Sequence, residues 1–190
     1  MKNFYLLLPF ILLLSCSSND EEEPGTELEF TLTSEAVANG ELLDAFKCET
    51  KINNLENSIP LAWENVPEGT GSLAIIMYHF PNPADQTNAN SYLLLWNIDP
   101  TVTSIAYGMA DDGAWFMGAN KDGNAISYSS PCSPSAGTHE YTISIYALSE
   151  VPASLPLNHS LEVDYSTLLT AIQSVNIIDT ASLIFDDVTD

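Results

Sequence analysis

The stretch that decides the fold is Ser127–Leu148, SYSSPCSPSAGTHEYTISIYAL. Its first half crowds Ser, Pro and Gly into Ser129–Gly137, which bends a chain and forbids regular structure. Its second half alternates. Tyr141, Ile143, Ile145 and Ala147 fall on one side, and Thr142, Ser144 and Tyr146 on the other. That pattern predicts a half-buried strand. A proline-stiffened loop therefore delivers His139 and Tyr141 at the mouth of a strand, where an imidazole and a phenol can cradle a small ligand.

Upstream, Leu28–Ser34 alternates and reads as a first strand, and Asn39-Gly40 marks a turn. Ser58–Trp63 leads to the tight turn Val66–Thr70. Ser72–Met77 and Ser91–Ile98 are apolar runs of strand length, read as buried strands. Tyr78–Asn90 and Met109–Gly123 are rich in turn residues and read as loops, and Thr101–Ala106 as a short strand. Downstream, Val163–Ser174 places Leu168, Leu169 and Ile172 at helical spacing, with Asp164 placed to cap. Ala181–Phe185 reads as a last strand and Asp186–Asp190 as an acidic tail. Many short strands, frequent turns and one late helix predict a mainly β fold, an antiparallel sandwich with a small C-terminal helix.

The chain has 190 residues, enough for one domain with a sizeable core. Residues 1–15 join a lysine to the apolar run Phe4–Leu14, too short for a lasting membrane span and shaped like a secretory signal. Leu13-Leu14-Ser15-Cys16 resembles a bacterial lipobox, which would make Cys16 the lipidated first residue. The alternative is an ordinary cleaved signal with an incidental cysteine. Residues 16–26 then read as a tether carrying Asp20-Glu21-Glu22-Glu23, a solvated charge run that cannot pack. An acidic run after a lipidated cysteine resembles the surface-export signal of Bacteroidota lipoproteins. It implies the outer membrane and its outer face, with a periplasm-facing anchor as the alternative. The domain proper is placed at residues 27–187.

The formal net charge is -22, with four lysines and no arginine. Such a surface repels nucleic acid, and it argues against membrane contact beyond a lipid anchor. No phosphate loop, dinucleotide fingerprint or Gly-x-Ser-x-Gly motif is present, and no cofactor is expected.

The motif Ser130-Pro131-Cys132-Ser133-Pro134, then Gly137, His139-Glu140-Tyr141 and Tyr146-Ala147-Leu148, resembles the phosphatidylethanolamine-binding protein family. Its order matches the bacterial Raf-kinase-inhibitor-like branch, the YbhB/YbcL type. Ser58–Trp63 resembles Ser-Pro-Pro-Leu-x-Trp of that family, and Val66–Thr70 its Val-Pro-Glu-Gly-Thr. The resemblance covers about residues 30–185 and implies a large antiparallel sheet packed on a smaller one. It also implies a Cys48–Cys132 bridge, which agrees with an even cysteine pair in an oxidising compartment. Two buried free thiols are the alternative.

In the family, an anion pocket is built from an Asp-Pro-Asp-Ala-Pro loop, a strand-opening histidine, the Gly-Pro loop and the His-x-Tyr pair. Carried over, it implies ligand-binding roles for Ser130, Pro131, His139 and Tyr141, with His79, Pro81 and Tyr92 where the acids and the other histidine are missing. Losing the carboxylates removes what would hold the imidazoles charged. The expected site is a neutral, aromatic, hydrogen-bonding cleft, walled also by Trp63 or Trp115, with weak affinity for phosphate monoesters. The bland readings are a His139 that only braces its loop, an exposed His79 and a surface His159. No metal site is expected, since His79 and His139 fall short of three or four ligands.

The function expected is therefore non-catalytic binding of a small-molecule or peptidic ligand by an anchored module. One alternative is a protein-interaction or inhibitor module with a vestigial pocket. Another is a hydrolase using His139 with Cys132 or a serine.

Overall fold

The computed structural model describes residues 28–189 apart from 51, 53, 54, 124, 125 and 127. The signal, Cys16 and the acidic tether lie outside the described residues. In chain order the strands are β1 (Thr31–Thr33), β2 (Val37–Ala38), β3 (Glu41–Leu42), β4 (Leu61–Glu64), β5 (Ser72–His79), β6 (Asn90–Ile98), β7 (Ser104–Ile105), β8 (Phe116–Met117), β9 (Gly137–Leu148) and β10 (Ile177–Thr189), with α1 (Tyr165–Gln173) between the last two. Asn39 and Gly40, both at positive φ, make the tight turn between β2 and β3.

A seven-stranded sheet runs β2-β3-β10-β9-β5-β6-β8, and a three-stranded sheet runs β1-β4-β7. All pairings are antiparallel except β3 with β10. The mainly β sandwich with one small helix is thus as expected. The core between the sheets holds Trp63, Ile75, Met77, Leu95, Ile143 and Phe185. A second cluster on the outer face packs Ala74, Ile76, Leu94 and Trp96 against Leu168, Ala171 and Ile172 of α1. Burial on both faces explains why β5 and β6 are continuously apolar. It also corrects the half-buried reading of β9. Tyr141, Ile143, Ile145 and Ala147 do face the inner core, but Tyr146 and Leu148 on the other side join the outer cluster.

Three further expectations are corrected. The first strand is only Thr31–Thr33, because β4 offers it partners from Ala62 to Glu64. Phe116 and Met117, read as loop, form β8 against Trp96 and Leu95. A Cβ at the next residue, Gly118, would stand 2.3 Å from Val163 O, so only glycine lets this segment pass beneath the approach to α1.

The acidic tail is the end of β10. Its ladder with β9 continues to Thr189↔Gly137, which carries the domain past residue 187. Asp187 is 1 % exposed there and pairs with Lys47, whose Nζ lies 3.4 Å from Asp187 Oδ1 and 3.1 Å from Asp44 Oδ1. Burial works against the Lys47 charge, but the two carboxylates outweigh it and raise its pKa. A buried carboxylate needs such a partner.

Asp164 caps α1 as expected: its Oδ1 accepts from Thr167 N at 2.8 Å and from Ser166 Oγ at 3.0 Å. Burial acts to raise this carboxyl, yet the hydrogen bonds from Thr167 and Ser166 outweigh it and hold it below the usual value. The cap's contribution is therefore full above about pH 4 and is lost as pH falls through the lower folded value. Asp164→Ala is expected to cost about 1 kcal/mol in denaturant unfolding at pH 7. Asp164→Asn is expected to keep most of that stability and flatten its dependence on acid pH.

Candidate functional site

The site forms at the end of the large sheet where β5, β6 and β9 leave the core. β9 carries His139 and Tyr141 on its inner face. The β5–β9 ladder ends at Tyr78↔Thr142. Just beyond, Glu140 O accepts a hydrogen bond from Nδ1 of His79, at 2.8 Å. His79 is thus the last residue of β5, not part of the loop. Its ring stacks on Tyr141 with centroids 5.0 Å apart and meets His139 edge-on at 5.9 Å. Tyr141 stacks in turn on Phe185 at 5.6 Å.

Tyr92 arrives by a bulge. Met77 pairs with Leu93 and Tyr78 with Ser91, so Tyr92 is an extra residue on β6. The bulge puts Tyr92 and Leu93 both on the inner face, breaking alternation where a side chain must be re-aimed. Tyr92 then meets Tyr141 edge-to-face at 5.0 Å. Tyr141 is 2 % exposed, so it is the floor of the site and not its rim. Burial, then the hydrogen bond to Tyr92, pushes its phenol well up, leaving a neutral hydroxyl.

His139 braces the proline-rich bend: its Nε2 lies 2.8 Å from Ser133 Oγ and 3.1 Å from Ser135 O. The Glu140 carbonyl only accepts, which puts the proton of His79 on Nδ1 and leaves Nε2 of the neutral ring a lone pair. For His139 two tautomers fit the contacts: Nε2–H donating to Ser135 O, which leaves Nδ1 a lone pair, or a bare Nε2 accepting from Ser133 Oγ. The 2.8 Å contact lets Ser133 Oγ either accept from a protonated Nε2 or donate to a bare one.

These residues enclose a cavity of about 270 Å³ lined by His79, Tyr92, His139, Tyr141 and Pro81. Asn90, Lys121, Cys132 and the Ser133–Ser135 bend complete the wall, and no carboxylate lines it. Lys121 is its cation, paired with Asp122 at 3.1 Å. Asp187 stands opposite His139 in the β10 register, but Lys47 engages it. Among the described residues, no group of three His, Cys, Asp or Glu is placed to hold a metal.

Ser130 and Pro131 lie behind this wall. Ser130 N and Oγ both donate to Glu56 Oε2, Ser130 Oγ accepts from Glu49 N, and Pro131 O accepts from Cys48 N. They fasten the bend to the Cys48–Glu56 segment. Trp63 is buried in the core, and Trp115 donates to Ala110 O; neither lines the cavity. His159 is on the surface and accepts from Met117 N at 3.0 Å. Asn90 and Lys121 went unread in the sequence. Lys121 had one signal, as one of four lysines in a strongly acidic chain.

The profile described as phosphatidylethanolamine-binding protein matches residues 33–185. The chain belongs to this phosphatidylethanolamine-binding protein family. A UPF0098 protein of Methanothermobacter thermautotrophicus is 32 % identical over 97 residues, 50 % of this chain and 62 % of that protein. The match thus spans less than two thirds of that relative. A crystal structure of a phosphatidylethanolamine-binding protein homolog from Chlamydia trachomatis superposes with a TM-score of 0.68 at 27 % identity, covering 85 % of this chain and 98 % of that one. YbcL of Escherichia coli, described as a member of the mammalian family, shares the fold at 22 % identity and a TM-score of 0.69, covering 86 % and 100 %.

Within this family fold, the bend that walls the cavity is tied down by a disulfide. Cys48 and Cys132 are bonded in the structure across a sequence separation of 84. The Cys132 sulfur is therefore no free nucleophile. Reduction, or Cys48→Ser with Cys132→Ser, is expected to cost roughly 4 kcal/mol on a chain-entropy estimate for so long a loop. Thermal unfolding with and without a phosphine reductant reads it. An unchanged melting temperature would mean that the bend is held by its hydrogen bonds alone.

Proposed function

We propose that this protein is a non-catalytic binding module, lipid-anchored through Cys16 at the outer membrane. Its modified family pocket takes a small polar ligand rich in hydrogen-bond donors. The observation that carries the reading is the pair of imidazoles set against main-chain carbonyls, His79 Nδ1 on Glu140 O and His139 Nε2 on Ser135 O, which we take to hold their protons. The basin then offers lone pairs from both rings, over an aromatic floor and with no lining carboxylate. The single lysine on the wall is already paired with Asp122. A phosphate dianion finds few donors there, and a net charge of -22 opposes its approach. Ligands with hydroxyl, amide or amine hydrogens suit the lone pairs.

The anchoring part rests on the lipobox-like Leu13–Cys16 and the acidic run behind it. Cys16→Ala is expected to release the protein from membranes into the soluble fraction. Retention by the washed membrane would contradict the anchor.

The pocket part is tested by calorimetry at pH 7.5. Phosphoethanolamine is expected to bind no tighter than about millimolar, and a micromolar constant would overturn the reading. A small-molecule panel of alcohols, amides and amines is expected to raise the melting temperature. The rise is expected to vanish in His139→Ala and to survive in Ser133→Ala.

A further inference from the structure

Beside the histidine basin lies a second cavity of about 540 Å³ between the Thr87–Ser91 segment, the Ala119–Lys121 segment and the start of α1. The two cavities share Pro81, Asn90 and Lys121 on their walls. We propose that together they form one elongated site for a neutral polyhydroxylated ligand, a saccharide of more than one unit. The proposal rests on the reading of the histidine basin and extends it.

The chemistry of the second wall carries the inference. The Asn90 side chain, at the junction, makes no hydrogen bond among the described residues, so its amide offers both donors and an acceptor. Asn88 and Thr87 are held by Asp85, at 2.9 Å and 2.6 Å, which stiffens that side without filling it. The charged lining residues are Lys121, which is paired with Asp122, and Asp164, so the cleft has no surplus positive charge to hold an anion in a molecule of net charge -22. A neutral ligand pays no Coulomb penalty on approach, whereas an anion does.

Tyr165 adds a half-buried ring, set in place by Tyr78 at 5.3 Å and Phe80 at 6.4 Å. Burial and the neighbouring tyrosines push its phenol up to about 12, so the hydroxyl stays neutral. A tyrosine on the lining beside amides and hydroxyls matches a sugar, apolar on its C–H face and polar at its edge. The apolar lining is Pro81, Leu161 and two alanines, mixed with amide and hydroxyl side chains along the whole wall.

The test uses the mature chain on an array of neutral and anionic oligosaccharides, followed by calorimetry with the best binder and its monosaccharide. A neutral oligosaccharide is expected to bind at least about tenfold tighter than its monosaccharide. Asn90→Asp, which keeps the shape of the side chain, and Tyr165→Ser are each expected to remove that gain and leave monosaccharide binding unchanged. His139→Ala is expected to weaken both. Binding restricted to anionic glycans, or a gain that survives both Asn90→Asp and Tyr165→Ser, overturns the proposal. An array with no binder also overturns it. In that case a His139-dependent melting shift with small alcohols or amides would leave the basin reading standing, and its absence would remove both.

Discussion

β9 is paired along both edges, with β10 from Leu148 to Gly137 and with β5 from Leu148 to Thr142, and this double ladder settles where its side chains go. Register in a sheet is all-or-none: a slip of one residue would send Tyr141 out and Thr142 in. Because the ladder with β5 stops before Glu140, that residue's carbonyl is left for the imidazole of His79. The sheet thus supplies the acceptor that orients the first ring. The bend before β9 supplies Ser135 O for the second.

Rings held this way are placed before any ligand arrives. The floor is built from stacked aromatics, His79 on Tyr141 on Phe185, with Tyr92 meeting Tyr141 edge-on. The wall is held at a distance by Ser130 to Glu56 and by the Cys48–Cys132 bond. Residues that line the family's pocket by sequence position therefore divide here into two tasks. His79, Tyr92, His139 and Tyr141 face the cavity, and Ser130 and Pro131 brace the wall that encloses it.

The strand with His139 and Tyr141 was legible because its alternation is local and its bend is rich in proline and glycine. The helix was legible from its spacing and from Asp164. Burial on both faces of β9 was not, because Tyr146 and Leu148 are covered by segments far away in sequence. The Tyr92 bulge left no trace in an apolar run where every residue looks alike. β10 was cut short because Asp186-Asp187 reads as solvated, whereas Asp187 is buried beside Lys47 of a distant segment. Asn90 and Lys121 come together only because β8 pairs with β6 and Gly118 passes close to Val163 O. Long-range pairing of that kind has no local pattern to announce it.

If main-chain carbonyls set the imidazole protons, the basin presents lone pairs to its ligand. Two-bond proton–nitrogen NMR correlation of the histidine rings at pH 8 reads each tautomer without a ligand. A Nδ1-protonated ring is expected for His79 and a Nε2-protonated ring for His139. A Nε2-protonated His79, or a His139 protonated on Nδ1, would contradict this placement.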